Sequence, residues 1–190
     1  MTTLKDDKFK LKARIADADD VGRTINRLAF EIVERNRGIK NLAVIGIRTR
    51  GAYLAQRICE AIRKNEGVKV PLGILDASLY RDDYRMKLRQ PEVKITDIPF
   101  AVDEMNLILV DDVLFTGRTV RAALSELMDL GRPARIQLAI LVDRGHRELP
   151  ICPDFTGKRI PTSIGEEVRV RMEEVDGLDE ILLVEAVDKR

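Results

Sequence analysis

The chain has 190 residues, 34% of them charged and 45% hydrophobic, with 33 Lys plus Arg against 32 Asp plus Glu and a formal net charge of +1. That composition predicts one compact globular domain spanning 1–190, and near-neutrality excludes a protein that is basic all over. The longest apolar runs, 107–110 and 138–142, are far short of the roughly 18 residues of a membrane span, and the N-terminal stretch lacks a signal-peptide core, which predicts a cytoplasmic protein. Cys59 and Cys152 are too few for a disulfide framework, and a single histidine, His146, argues against a zinc site or an imidazole triad.

The charges are segregated along the chain. Residues 21–40 hold Arg23, Arg27, Arg35, Arg37 and Lys40 against Glu31 and Glu34, whereas 166–190 carries nine acids against four bases. Asp19 or Asp20 is positioned to cap a helix whose apolar residues Val21, Ile25, Leu28, Ile32 and Val33 keep helical spacing until Gly38. Residues 41–47 read as a buried strand, followed by the turn Arg48-Thr49-Arg50-Gly51 and a helix over 52–64. A second strand, 70–75, leads into a polar segment of about 76–100, which reads as a lid or hairpin. A strand over 106–110 then ends in Asp111-Asp112, a loop follows, and a helix over 119–130 is closed by Gly131 and Pro133. Another buried strand spans 135–142. The tail, 143–190, departs from this rhythm, with Val168, Val170 and Met172 alternating and 181–187 reading as a last strand. Alternating strands and helices predict an α/β fold with a mainly parallel sheet, whose ligands sit at the strands' carboxyl ends.

The chemistry concentrates in 107–119, LILVDDVLFTGRT. Backbone N–H groups of the turn Thr116-Gly117-Arg118-Thr119 at a helix start suit a phosphate monoester. Paired acids repel phosphate but accept hydrogen bonds from a vicinal diol or stabilise developing positive charge. A diol beside a phosphate describes a ribose 5-phosphate. The competing reading is a polar strand end before an ordinary capped helix. There is no Walker motif, and the segment from Gly46 to Gly51 is not a dinucleotide fingerprint.

LVDDVLFTGRT resembles the 5-phosphoribosyl 1-pyrophosphate motif of type I phosphoribosyltransferases. GIRTRGAYLAQRI, LYRDDY, VDDVLFTGRTVRAAL, GRPARIQLAILVDRGHRELPI and GKRIPTS, in this order, resemble the bifunctional pyrimidine-operon regulators that are also uracil phosphoribosyltransferases. The resemblance implies the type I fold, with a parallel sheet flanked by helices, a small hood within 143–190 and a flexible β-hairpin lid. It implies Mg-assisted conversion of uracil and 5-phosphoribosyl 1-pyrophosphate to UMP and pyrophosphate, with Mg bound mainly through substrate near Asp111 and Asp112. It also implies UMP-dependent binding to pyr mRNA (attenuation), and a homodimer or dimer of dimers. Catalytic candidates are Asp111, Asp112 and Arg81. Substrate-binding candidates are Thr49, Arg50, Arg81, the run Asp111, Asp112, Val113, Leu114, Phe115, Thr116, Gly117, Arg118 and Thr119, and the loop Val142, Asp143 and Arg144.

In many members the turn matching Thr49-Arg50 holds a cis peptide. The 6-oxopurine members carry an acid where this chain has Phe115, which favours a pyrimidine here. RNA-binding candidates are Arg23, Arg27 and Arg35 on the first helix and Arg147, Lys158 and Arg159 in the tail, if the tail folds over that helix. Asn26, Phe30 and Cys152 stand where the better-known regulators have Thr, His and Arg. This keeps open a regulator that only senses the nucleotide and a salvage enzyme that has lost RNA binding.

Overall fold

The computed structural model describes residues 9–76 and 96–186. Arg81 and most of the expected lid lie outside the described residues. Five parallel strands form the main sheet: β2 (Leu42–Ile47), β3 (Leu72–Leu75), β4 (Asn106–Leu114), β5 (Arg135–Asp143) and β6 (Phe155–Arg159), in the spatial order β3-β2-β4-β5-β6. Three antiparallel strands form the hood: β1 (Phe9–Ala16), β7 (Glu166–Arg171) and β8 (Glu180–Ala186), in the order β1-β8-β7. The helices are α1 (Ala18–Arg35), α2 (Arg50–Glu66), α3 (Arg118–Leu130) and the short α4 (Glu173–Asp176).

The buried strands are apolar on both faces because helices cover both. Leu42, Val44, Ile108, Val110, Ala139 and Leu141 join a core with α1, α2 and the hood. Their alternates Ala43, Ile45, Leu107, Leu109, Leu138 and Ile140 join another with α3. This is the period of two working on a two-sided sheet. The hood draws on both chain ends: β1, which the charged start did not announce, pairs with β8, while β6, inside the expected hood segment, belongs to the main sheet. The cap of α1 is Asp17, whose side chain accepts from the Asp20 N–H at 2.9 Å. Asp19 and Asp20 fall instead in the first turn, where their charge suits the helix dipole.

After β2 the chain turns to β3 on one side and later returns to β4 on the other. The order therefore reverses between β2 and β4, and a crevice opens at their carboxyl ends. Among the described residues no helix is long and apolar enough to cross a membrane.

Candidate active site

Strand β4 runs past the acids rather than ending at them. Asp111 pairs in register with Ile140, and Leu114 with Asp143. Asp111 is buried and Asp112 half-buried. Asp111 Oδ1 accepts from the Asp112 N–H at 3.0 Å, and Asp112 Oδ1 accepts from the Val113 N–H at 2.9 Å. Burial pushes the Asp112 carboxyl above the usual range, opposed by its contact with Asp111 and by the charge of Arg50. The side chains of Val113 and Leu114 point into the two cores, so at this site they offer backbone only.

The next turn is tied down from outside. The Thr116 carbonyl accepts from the N–H groups of Glu148 at 3.0 Å and Leu149 at 3.2 Å, and the Phe115 carbonyl accepts from Arg147 Nη1 at 2.8 Å. Gly117, at φ +93°, is the residue before α3 and supplies no side-chain cap. The Thr116 hydroxyl accepts from the first-turn N–H of Arg118 at 3.4 Å, and the positive end of the helix dipole lies at this turn. Thr119 lies in that first turn, and Arg118 turns aside to Glu148, with Nε 2.8 Å from its carboxylate.

On the other wall, β2 passes into α2 through a cis peptide at Arg48-Thr49, one bond before the position implied by the resemblance. Both glycines of this stretch serve close approach. A Cβ on Gly46 would lie 2.5 Å from the Gly51 carbonyl oxygen, and one on Gly51 would lie 2.7 Å from the Val110 carbonyl oxygen. Arg50 does not extend into the crevice unaccompanied, because Nε and Nη2 donate to the two carboxylate oxygens of Asp176 at 3.1 and 2.9 Å.

Beside the turn that leads into α3 lies a cavity of about 380 Å³ lined by Asp143, Arg144, Gly145, His146, Arg159, Pro161 and Thr162. The Arg144 guanidinium stacks over the Phe115 ring, 4.2 Å from its centroid, and His146 meets the same ring edge-on at 6.0 Å. Arg144 Nε donates to Thr162 Oγ1 at 3.3 Å, and His146 Nε2 lies 2.6 Å from the Thr162 carbonyl oxygen. Val142, a candidate for base contacts, has its side chain fully in the core. His146, Pro161 and Thr162 were not expected here. The lone histidine, two residues after Arg144, was the available signal.

Residues 13–174 match the phosphoribosyl transferase domain. The "Bifunctional protein PyrR" of Pelotomaculum thermopropionicum is 53% identical over 177 residues, which is 93% of this chain and 98% of the relative. Its namesake from Chloroflexus aurantiacus is 54% identical over 171 residues, 90% and 94% of the two chains. The chain belongs to the PyrR family of phosphoribosyl transferase domain proteins. The hypoxanthine phosphoribosyltransferase of Trypanosoma cruzi shares the fold, with a TM-score of 0.68 over 93% of this chain and 98% of that one at 16% identity. A hypoxanthine phosphoribosyltransferase of Staphylococcus aureus gives 0.65 over 94% of each chain at 17% identity.

In this PyrR-family chain β6 lies beside α1. Arg27 donates to the carbonyls of Gly157 at 2.5 Å and Thr156 at 3.2 Å, besides pairing with Glu31. Arg35 donates to the Asp154 carbonyl at 2.9 Å and lies over Phe155. Arg23 pairs with Asp20, and Lys158 is close enough for its charge to act on Asp20. Phe30 stands 58% exposed among them, and Asn26 is exposed too. Two of the six basic candidates sit elsewhere. Arg159 lines the cavity, and Arg147 is a brace, bonded to Ile151 and Phe115 carbonyls and to Asp143 at 2.6 Å.

Proposed function

We propose that this protein is a uracil phosphoribosyltransferase, converting uracil and 5-phosphoribosyl 1-pyrophosphate to UMP and pyrophosphate, and that it also binds pyr mRNA in a UMP-dependent way to regulate pyrimidine genes. The observation that carries the enzymatic reading is the continuity of one strand, one turn and one helix. Asp111 and Asp112 lie in the carboxyl-terminal half of β4, a few residues before the α3 N-terminus, whose N-cap Gly117 has no side chain to cap it. A ribose 5-phosphate spans those two features, with its hydroxyls on the acids and its phosphate on the first-turn N–H groups. Glycosyl transfer leaves positive charge on the ribose, which the two carboxylates are assigned to stabilise.

The base goes to the cavity beside Phe115, held by Arg144 and by backbone groups after Val142. An apolar ring at position 115 offers no acceptor for an imidazole proton, which favours a pyrimidine over a purine. Arg50 and Arg81 are assigned to pyrophosphate. Thr49 is assigned to the same wall.

Each acid gives one oxygen to a backbone N–H, and among the described residues no group of three or more His, Cys, Asp or Glu side chains could hold a metal ion. The fit is therefore to a magnesium ion held mostly by substrate oxygens, with Asp111 and Asp112 at its edge. Bound there, Mg would neutralise charge on the departing pyrophosphate. The face formed by α1 and β6 is assigned to RNA. The protein is read as one cytoplasmic domain over 1–190 assembled as a homodimer or a dimer of dimers.

The test is turnover of labelled uracil with the sugar donor and magnesium, beside the double variant Asp111→Asn with Asp112→Asn. The wild type is expected to form UMP and the folded double variant none. A well-folded wild type that neither turns over nor binds the donor removes the assignment. Gel-shift titration against the pyr leader, with and without UMP, tests the regulatory half. Phe30 and Cys152 favour a second reading, a salvage enzyme without RNA binding, and UMP-enhanced binding would eliminate it.

A further inference from the structure

Helix α2 grips the hood with two arginines seven residues apart, two helical turns and hence one face. Arg57 donates to Glu174 at 2.8 Å and to Asp179 at 2.6 and 3.0 Å. Arg50 donates to both oxygens of Asp176. The two clamps differ in location. Arg57 lies mid-helix, whereas Arg50 is the first residue of α2, at the crevice, within reach of the charge of Asp112.

Asp176 is itself immobilised. Its Oδ2 accepts from the Met172 N–H at 2.9 Å, and its own N–H donates to the Met172 carbonyl at 2.7 Å. A fork-to-fork pair fixes the guanidinium plane. Nε and Nη2 are used in that pair, and Nη1 has no hydrogen-bond partner among the described residues.

We infer that Asp176 is a positioning residue for the transfer: by holding one edge of Arg50 it presents the Nη1 edge to the pyrophosphate of the sugar donor. This rests on the phosphoribosyl transfer proposed above. An unheld arginine on a crevice wall must give up rotamer freedom when the anion binds, and Asp176 removes that loss beforehand. The hood thus takes part in donor binding through a carboxylate 126 residues from the arginine it orients.

Two readouts test this: KM and kcat for the sugar donor, and calorimetric titration with magnesium pyrophosphate, which needs no turnover. Asp176→Asn keeps the shape but loses the charged fork. It is expected to raise donor KM and pyrophosphate Kd about 5–10-fold, with kcat and the KM for uracil near wild type. Asp176→Glu should recover part of the loss. Asp179→Asn, which loosens the Arg57 clamp, should leave donor KM unchanged. Unchanged pyrophosphate binding in Asp176→Asn overturns the inference, as does an equal rise in Asp179→Asn. Tighter binding also overturns it, because Asp176 would then be competing with pyrophosphate for Arg50. A wild type that binds pyrophosphate without turning over uracil refutes the proposed reaction, while the titrations still decide the role of Asp176.

Discussion

Gly51, in the first turn of α2, rests directly on Asp111 of the central strand β4. A Cβ at this position would lie 3.3 Å from Asp111 Oδ1 and 2.7 Å from the neighbouring Val110 carbonyl oxygen. Neither backbone can give way cheaply, because β4 is hydrogen-bonded on both sides. Gly51→Ala therefore has to displace either the α2 wall or the acid. The expected result is a stability loss of about 1–3 kcal/mol together with a fall in kcat/KM of at least about tenfold. Denaturant melts and steady-state kinetics on one preparation check both, and a variant with unimpaired kinetics would show that this contact does not set the geometry of Asp111.

Asp112 carries a tension between stability and activity. Burial raises its folded-state pKa, so its protonated form is the one the fold favours. The stabilisation is complete below the ordinary Asp value of about 3.9 and is lost as pH rises through the raised value. Above that raised value the wild type bears a buried charge that Asp112→Asn lacks, while the variant's amide oxygen still accepts from the Val113 N–H. On that alkaline side the variant is expected to melt about 2–4 °C above wild type, with the gap closing on acidification. Turnover should fall about 100-fold or more. A variant that melts lower than wild type on the alkaline side would contradict the assigned direction.

What the sequence discloses about this fold follows from range. The apolar runs of β2, β4 and β5 announce buried parallel strands because both faces of each must be apolar. The turn into α3 is legible because Thr116 to Thr119 are contiguous. Strand β1 is not, since its side chains are mostly exposed and its partner, β8, lies at the far end of the chain. Strand β6 is five residues containing Gly, Lys and Arg, and only its parallel return beside β5 reveals it and carries Thr162 to Arg144. The excess of acid in the tail has its explanation in pairing. Asp176, Glu174 and Asp179 accept the arginines of α2, and buried Glu180 accepts Arg171 at 2.9 Å and pairs with Arg14 at 3.2 Å. Such long-range matches leave no local pattern.

Arg147 separates structure from RNA contact. Its guanidinium joins Asp143, the Ile151 carbonyl and the Phe115 carbonyl, linking the cavity loop to the turn before α3. Removing it strands several acceptors. Arg147→Ala should lose about 1–3 kcal/mol of stability and raise donor KM, because the turn holding the phosphate loosens. A variant with wild-type melting and donor KM but reduced affinity for leader RNA would instead return Arg147 to the RNA surface.

The face of α1 and β6 makes the opposite demand. Arg23 and Lys158 are joined there by exposed Phe30, and none of the three lines the crevice or the cavity. A cation that contacts a phosphate of single-stranded RNA contributes about 0.7 to the slope of log affinity against log salt, and a base stacked on an aromatic ring contributes about 1–3 kcal/mol. Arg23→Ala and Lys158→Ala should each flatten the salt dependence of leader binding by about that 0.7. Phe30→Ala should weaken binding with the salt slope unchanged, and all three should leave uracil turnover at the wild-type level. Gel shifts across a salt series, with UMP held saturating, separate the two effects. If leader binding survives all three substitutions with its slope intact, the α1 face is not where RNA sits, and the pairing of Arg27 and Arg35 with β6 is structural alone.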